Sequence, residues 1–108
     1  MTVQTLAGLE GVRALTCPEP EREIRGVYIG DLLSWVMGRA EADNVWITIM
    51  TNINIVAVAS LADTSCILLA EGVTPEQSVL DTAEAKGVNI LQSAKPIYET
   101  AMQLREFV

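Results

Sequence analysis

The sequence predicts an α/β fold in which a parallel sheet carries helices on its faces. Strand and helix patterns alternate along the chain, the turns between them are short, and one strand is almost wholly apolar. A chain of 108 residues corresponds to a single domain, 1–108, and half of its residues are hydrophobic, so we expect a core without disulfide or metal support.

Local residue chemistry predicts each element. In chain order the predicted elements are helix Thr2–Leu9, strand Val12–Thr16, strand Gly26–Ile29, helix Leu32–Gly38, strand Asn44–Met50, helix Asn52–Leu61, strand Ser65–Ala70, helix Thr74–Lys86, strand Val88–Leu91 and a helix after Ser93. The first helix has one apolar face and ends before Gly11, and Pro18 and Pro20 then predict a loop. Gly30 turns the chain after the second strand, and Asp31 is a favoured N-cap for the next helix.

The segment Ile53–Leu61 fits two structures. Its β-branched residues favour a strand, whereas its small residues and the asparagines before it favour a helix. We choose the helix because consecutive parallel strands need a crossover element between them. The strand before this segment is rich in β-branched and aromatic residues, and the strand after it is apolar throughout, as expected with both faces covered.

The last helices have terminal signals. Thr74, Pro75 and Gln77 match a capping box with Thr74 as N-cap and proline at the first helical position. Gly87 is the expected residue after the end of that helix. Ser93 is a candidate N-cap for the last helix, whose apolar residues recur at helical spacing.

Charge and cysteine usage exclude several classes. The net charge of −7 argues against nucleic acid and anionic membranes as partners. The first residues have no signal-peptide pattern and no apolar run is long enough to span a membrane, so we expect a cytoplasmic protein. Cys17 and Cys66 are expected to be free thiols, with a disulfide as the alternative, and Cys66 to be an inert core residue.

The chain has no histidine. It therefore lacks the commonest general base, the commonest metal ligand and the usual partner of a Ser or Cys nucleophile. It has no phosphate-binding loop, dinucleotide fingerprint or Cys-x-x-Cys motif, and we expect no catalytic residue, cofactor or metal. Trp35 and Trp46 are expected to anchor a core or an interface, since no basic stripe accompanies them.

Polar residues at predicted strand ends form the candidate ligand site. In an open parallel sheet, ligands bind beyond the carboxyl ends of the strands, near helix N-termini. This criterion selects Gly30, Asp31, Thr51, Asn52, Asn54, Glu71 and Gly72. Arg22 and Arg25, in a charged stretch before the second strand, add candidate contacts to an anion. The alternatives are N-capping asparagines, a turn at Glu71 and a solvated charged loop.

The segment Glu21–Ser34, Glu-Arg-Glu-Ile-Arg-Gly-Val-Tyr-Ile-Gly-Asp-Leu-Leu-Ser, resembles the DRTGG domain family. The resemblance continues through Val36–Gly38, Trp46–Thr48 and Asn54–Ser60, and so covers nearly the whole chain. It implies a three-layer α/β/α domain with a small, mostly parallel sheet, similar to the N-terminal domain of HPr kinase/phosphorylase. Such domains occur beside phosphotransacetylase catalytic domains, in some pyrophosphatases next to CBS domains, and alone.

The motif that names the family is degenerate in this chain. Glu21 stands for its Asp, Arg25 for its Thr and Val27 for its second Gly, whereas Arg22 and Gly26 match it. The block Gly-Asp-Leu-Leu-Ser that follows is the firmer part of the match. The resemblance implies a regulatory role, with adenine nucleotides as ligands in some contexts, and no kinase activity.

The function predicted from the sequence is a stand-alone regulatory module that binds a small anionic ligand such as an adenine nucleotide. The alternative is an interaction module that docks on a larger metabolic or redox enzyme without a ligand of its own. A small enzyme is the third hypothesis, and the missing histidine argues against it.

A homodimer is predicted from the segment chosen as a helix. Its stripe Ile55, Val58, Ala59 and Ala62 would cover the sheet. The opposite side is also apolar and is assigned to a two-fold interface, formed by Ile53, Val56, Ala57 and Leu61. If the segment were a central strand instead, the same residues would be core.

Overall fold

The chain forms a five-stranded sheet between two helical layers, and the computed structural model describes all 108 residues. In chain order the elements are α1 (Val3–Ala7), β1 (Val12–Thr16), β2 (Gly26–Ile29), α2 (Leu33–Arg39), β3 (Asn44–Thr48), α3 (Asn54–Ala62), β4 (Cys66–Leu69), α4 (Gln77–Lys86), β5 (Ile90–Ser93) and α5 (Ile97–Leu104). The strand order is β1-β5-β4-β3-β2, and only β1 is antiparallel to its neighbour. The predicted three-layer, mostly parallel α/β fold is confirmed.

The central strands are apolar because both of their faces are covered. Every residue of β4 and β5 is buried, and β3 is buried from its second residue onward. Neighbours in register stack on the same face, as Trp46, Ile67 and Ile90 do on one side of the sheet. Ile47 and Leu68 stack on the other side.

Two separate cores lie on the two faces of the sheet. α2, α3 and α4 cover the face of Trp46, with Val36, Ile55 and Val79 as their buried contacts. α1 and α5 cover the opposite face through residues that include Leu104. No helix has both the length and the apolar character that crossing a bilayer requires.

The segment with two possible structures is a helix, so this prediction is confirmed. The assignment of Val56 to a dimer interface is wrong, because Val56 is only 3% exposed and lies in the core beneath α3. α3 also packs against α2 and α4, and these neighbours cover part of the side that the sequence left without a partner. Ile53, Ala57 and Leu61 do remain exposed, with Leu61 at 72%.

The predicted capping box is wrong, because the N-cap of α4 is Glu76, two residues after the predicted Thr74. The hydroxyl of Thr74 accepts a hydrogen bond from the Gln92 side chain at 2.7 Å, and Gln77 donates to Asp81 within the helix. Ser93 does not cap α5 either, since it lies in β5 and its hydroxyl is 2.8 Å from that of buried Thr100. Thr74 thus contacts β5 and Ser93 contacts α5, and neither side chain caps the helix that follows it.

Candidate ligand site at the carboxyl edge of the sheet

The parallel strands β2, β3 and β4 end at the same edge of the sheet. We call it the carboxyl edge. The sequence-predicted residues that follow these strands therefore lie along one edge, in the order Gly30, Asp31, Thr51, Asn52, Glu71 and Gly72. Their role as ligand contacts stays a prediction, and their structural contacts differ from one residue to the next.

A cleft of about 680 Å³ opens at the carboxyl edge, between the N-termini of α3 and α4. It is lined by Thr51, Asn52, Ile53, Thr74, Glu76, Ser78 and Val79. Sequence reasoning selected Thr51 and Asn52 but missed the residues of the α4 side. The rule that selected the start of α3, a helix that follows a central parallel strand, applies equally to α4. The sequence-based assignment of Thr74 as an N-cap gave it a structural role, so it was not selected as a candidate ligand contact.

Backbone amides at the start of both helices are free for a ligand. In α4, the amides of Gln77 and Ser78 have no acceptor within the chain. In α3, the side chain of Asn52 accepts from the Asn54 amide at 2.9 Å, whereas the Ile53 amide has no acceptor. Unpaired first-turn amides and the helix dipole make such positions favourable for anions.

Asp31 holds the carboxyl edge together and does not cap α2, whose N-cap is Leu32. One carboxylate oxygen of Asp31 accepts from the hydroxyl of Thr48 at 2.7 Å and from the amide of Ile49 at 3.0 Å. The prediction of Asp31 as an N-cap is therefore wrong. Asp31 thus accepts hydrogen bonds from the side chain of the last residue of β3 and from the backbone amide that follows it.

Glu71 and Gly72 form a turn with positive φ angles of 64° and 68°. The carboxylate of Glu71 accepts from the amide of Ile97 at 3.0 Å and so caps α5, on the other side of the sheet. Gly72 donates through its amide to the carbonyl of Ser93 at 2.9 Å. Neither residue lines the cleft. Their hydrogen bonds connect the turn after β4 to the end of β5 and to the start of α5.

Asn54 faces a second groove, of about 440 Å³, between the outer sides of α3 and α4. This groove is more apolar than the cleft and also contains Ala57, Leu61 and Lys86. Asn54 thus lines a different groove from Thr51 and Asn52, although its backbone amide donates to the Asn52 side chain.

The carboxyl edge offers hydrogen-bond donors and no nucleophile–base pair. Glu76 is the only ionisable side chain that lines the cleft. Cys66 is fully buried in β4, and burial, followed by the effect of nearby Cys17, raises the pKa of its thiol well above the usual range. Nowhere do three or more Cys, Asp or Glu side chains lie close enough to hold a metal ion. The lining of the cleft thus consists of hydroxyl, amide and apolar groups with one carboxylate.

A sequence profile described as the DRTGG domain matches residues 9–107. This chain belongs to the DRTGG domain family. A solved structure with the same fold contains the CBS and DRTGG domains of the regulatory region of Clostridium perfringens pyrophosphatase, complexed with its activator, diadenosine tetraphosphate. The TM-score is 0.67 at 12% identity, over 93% of this chain and 46% of that one, so this chain spans less than half of the neighbour. No curated protein matches it.

In this DRTGG domain, Arg22 and Arg25 lie at the opposite edge of the sheet from the cleft. Arg22 donates to Asp43 at 2.8 Å and to Asp63 at 3.1 Å, next to the starts of β3 and β4. Burial opposes the charge of Arg22, but the two carboxylates outweigh it and raise the pKa of its guanidinium. Arg25 is mostly exposed, 3.6 Å from Asp43. The residues predicted to contact a ligand thus lie at two opposite edges of the sheet. At the edge away from the cleft, Arg22 and Arg25 contact aspartate side chains of the domain itself.

Proposed function

We propose that this DRTGG domain is a regulatory module that binds an adenine nucleotide, or another small anionic ligand, in the cleft at the carboxyl edge. The observation that carries the proposal is that two helix N-termini open into one cleft, and that Ile53 and Ser78, which line it, have unpaired backbone amides. The volume of about 680 Å³ lies within the range typical of small-molecule sites. The nucleotide activator named for the pyrophosphatase neighbour supports this ligand class.

The lining residues suit the parts of a nucleotide. The free amides of α4 and the hydroxyls of Thr51 and Ser78 suit phosphate oxygens. Ile53 and Val79 offer apolar contact to a base, and the Glu76 carboxylate can accept from ribose hydroxyls. No Lys or Arg lines the cleft, so we expect moderate affinity that depends only weakly on salt.

A module without catalytic groups regulates through another protein. We therefore infer a partner enzyme whose activity responds to the ligand, and we place both in the cytoplasm, where free thiols such as Cys17 and Cys66 persist. A protein that is not itself an enzyme transmits ligand binding only by differential contact with its partner in two states.

Calorimetry with AMP, ADP, ATP and diadenosine tetraphosphate tests the proposal. We expect heat with at least one of them, and loss of that heat in Ser78→Glu. The new carboxylate would repel phosphate at the start of α4 while interacting favourably with the helix dipole, so the fold should retain its stability. Thr82→Glu is the matched control, since Thr82 lies one turn along α4 and outside the cleft.

Absence of heat with all four nucleotides at millimolar concentration would reject the nucleotide ligand. Equal loss of binding in Ser78→Glu and Thr82→Glu would reject the cleft as its site. A titration with inorganic phosphate distinguishes recognition of phosphate alone from recognition of the whole nucleotide, because only the nucleotide needs the apolar contacts of Ile53 and Val79.

A further inference from the structure

The edge strand β2 is unusually open. It ends the sheet beside β3, and its residues Val27 and Ile29 are 37% and 48% exposed. Their register partners Val45 and Ile47 are completely buried in the core under α1 and α5, so all four side chains point to the same face. α5 lies over β3 and covers the β2 part of that face only partly, because Val27 and Ile29 line an open groove together with the end of α5 and Val108.

The backbone of β2 is open as well. The Gly30 amide donates to the Ile47 carbonyl at 3.1 Å, and the direction of hydrogen bonding alternates along a strand. The amides and carbonyls of Val27 and Ile29 therefore point away from β3, to the outside of the sheet. Natural edge strands are usually protected by proline, lysine or a bulge, and β2 has none of these. The other edge strand, β1, does have a register shift, between Ala14 and Thr16.

The sequence around β2 is complementary to its own reverse. When two antiparallel copies pair with Tyr28 opposite Tyr28, Val27 lies opposite Ile29 and Gly26 lies opposite Gly30. At the ends of the paired segment, Arg25 lies opposite Asp31, so each copy supplies one cation and one carboxylate to its partner. Opposite charges and β-branched pairs placed directly across an antiparallel ladder stabilise it.

The hydrogen-bond geometry fits the same register. Val27 and Ile29, whose polar backbone groups point outward, form the hydrogen-bonded pairs, and Tyr28 forms a non-hydrogen-bonded pair on the axis. Gly30 lies beneath the Tyr28 ring, and a Cβ there would lie 3.1 Å from that ring, so glycine leaves room for the aromatic side chain. Both charged ends can still be reached by a partner: Arg25 is 72% exposed although its Nε lies 3.6 Å from Asp43, and one carboxylate oxygen of Asp31 remains free while the other binds the end of β3.

We propose that two copies of this domain associate by antiparallel pairing of their β2 strands about a two-fold axis at Tyr28, which joins the two five-stranded sheets into one. The occupant of the open edge is thus a second copy of this chain. A groove of about 380 Å³ beside β2, which contains Val27, Ile29 and Val108, becomes continuous with its symmetry mate in the dimer.

This surface differs from the outer side of α3. Ile53, Ala57 and Leu61 are exposed there, but they lie along a groove with Lys86, and no self-complementary pattern of charge or backbone accompanies them. The β2 edge offers apolar side chains, unpaired backbone groups and opposite charges together. The two surfaces predict different effects of mutation.

Disulfide formation tests the register. In a Cys17→Ser chain, Tyr28→Cys should form a covalent dimer under mild oxidation, because opposite residues of a non-hydrogen-bonded pair have Cα atoms about 4.5 Å apart, within the range of a disulfide. Val27→Cys is the matched control, since its own symmetry mate lies on the diagonal, about 7–8 Å away. We expect the control to crosslink at least about tenfold more slowly. A mixture of Val27→Cys and Ile29→Cys chains should form the mixed disulfide, which provides a readout even if Tyr28→Cys does not fold.

Light scattering on the unmodified chain tests association itself. We expect twice the monomer mass of 11.7 kDa at tens of micromolar. Val27→Lys and Arg25→Glu should each raise the dissociation constant about tenfold or more, because each change occurs twice at the interface, whereas Leu61→Lys should leave it unchanged. A monomer mass, a dimer lost in Leu61→Lys but not in Val27→Lys, or crosslinking as fast at Val27 as at Tyr28 would each overturn the proposal.

Discussion

The two tryptophans of the chain provide a matched test of whether the hydrogen bond from Trp46 to Gly30 stabilises the turn after β2. Trp46 is completely buried in β3, and its indole N–H donates to the carbonyl of Gly30 at 2.9 Å. Trp35 is 52% exposed on α2, with the Arg39 guanidinium 3.7 Å above its ring. Trp46→Phe should therefore destabilise the fold strongly and Trp35→Phe only slightly.

The magnitude for Trp46→Phe follows from two losses. A difference of roughly 40 Å³ in side-chain volume, at about 24 cal/mol per Å³ of cavity, costs roughly 1 kcal/mol. The carbonyl of Gly30 loses its only side-chain donor, and because Gly30 is half-buried this costs about 1 kcal/mol more. The free energy of unfolding should fall by about 2 kcal/mol, which corresponds to a Tm roughly 10 °C lower. Trp35→Phe keeps an aromatic ring beneath Arg39 and should cost less than about 0.5 kcal/mol.

Urea unfolding followed by far-ultraviolet circular dichroism measures both variants. We expect a lower midpoint for Trp46→Phe with an unchanged m value, since the surface exposed on unfolding stays the same. A cost below about 1 kcal/mol for Trp46→Phe, or an equal cost for Trp35→Phe, would show that the indole–Gly30 contact does not hold the turn after β2.

Two further predictions test the packing. Val56→Glu should unfold the domain, because it buries an unpaired carboxylate under α3. Leu61→Glu, at an exposed position of the same helix, should change the Tm by no more than a few degrees. A cooperative thermal melt of a folded Val56→Glu domain would contradict the packing of α3. Burial raises the pKa of Cys66 in the folded state only, so the folded chain holds this proton more tightly, and stability should be constant below the ordinary thiol value of 9.0 and fall as the pH rises above it. Urea titrations from pH 7 to 10 should show a smaller fall for Cys66→Ala, and an identical fall in both chains would exclude the thiol as its cause.

Much of the fold follows from local patterns in the sequence. The apolar run of β4 predicts a strand covered on both faces, and β4 is buried throughout. Gly87 predicts the end of α4 because a left-handed residue is required there, and its φ angle is 74°. The choice of a helix for α3 needed only the rule that parallel strands require a crossover. These features depend on neighbours in sequence or on the chain's own covalent geometry.

The candidate site was predicted only in part, because side chains at strand ends choose among partners that are distant in sequence. Thr74 binds Gln92 instead of capping α4, and Glu71 caps α5, which begins 26 residues later. Asp31 binds donors at the end of β3, for which the sequence gives no local sign. The order of the strands decides which of these groups meet.

What the sequence determined by itself was the class of the fold, the alternation of its elements and the edge at which parallel strands end. Only the tertiary structure decided that Arg22 lies at the opposite edge beside Asp43, that Val56 is core, and that β2 is left at an open edge. Hydrophobic periodicity reports which residues leave water, but not which distant surface covers them, and a polar side chain takes whichever partner that packing brings within about 3 Å.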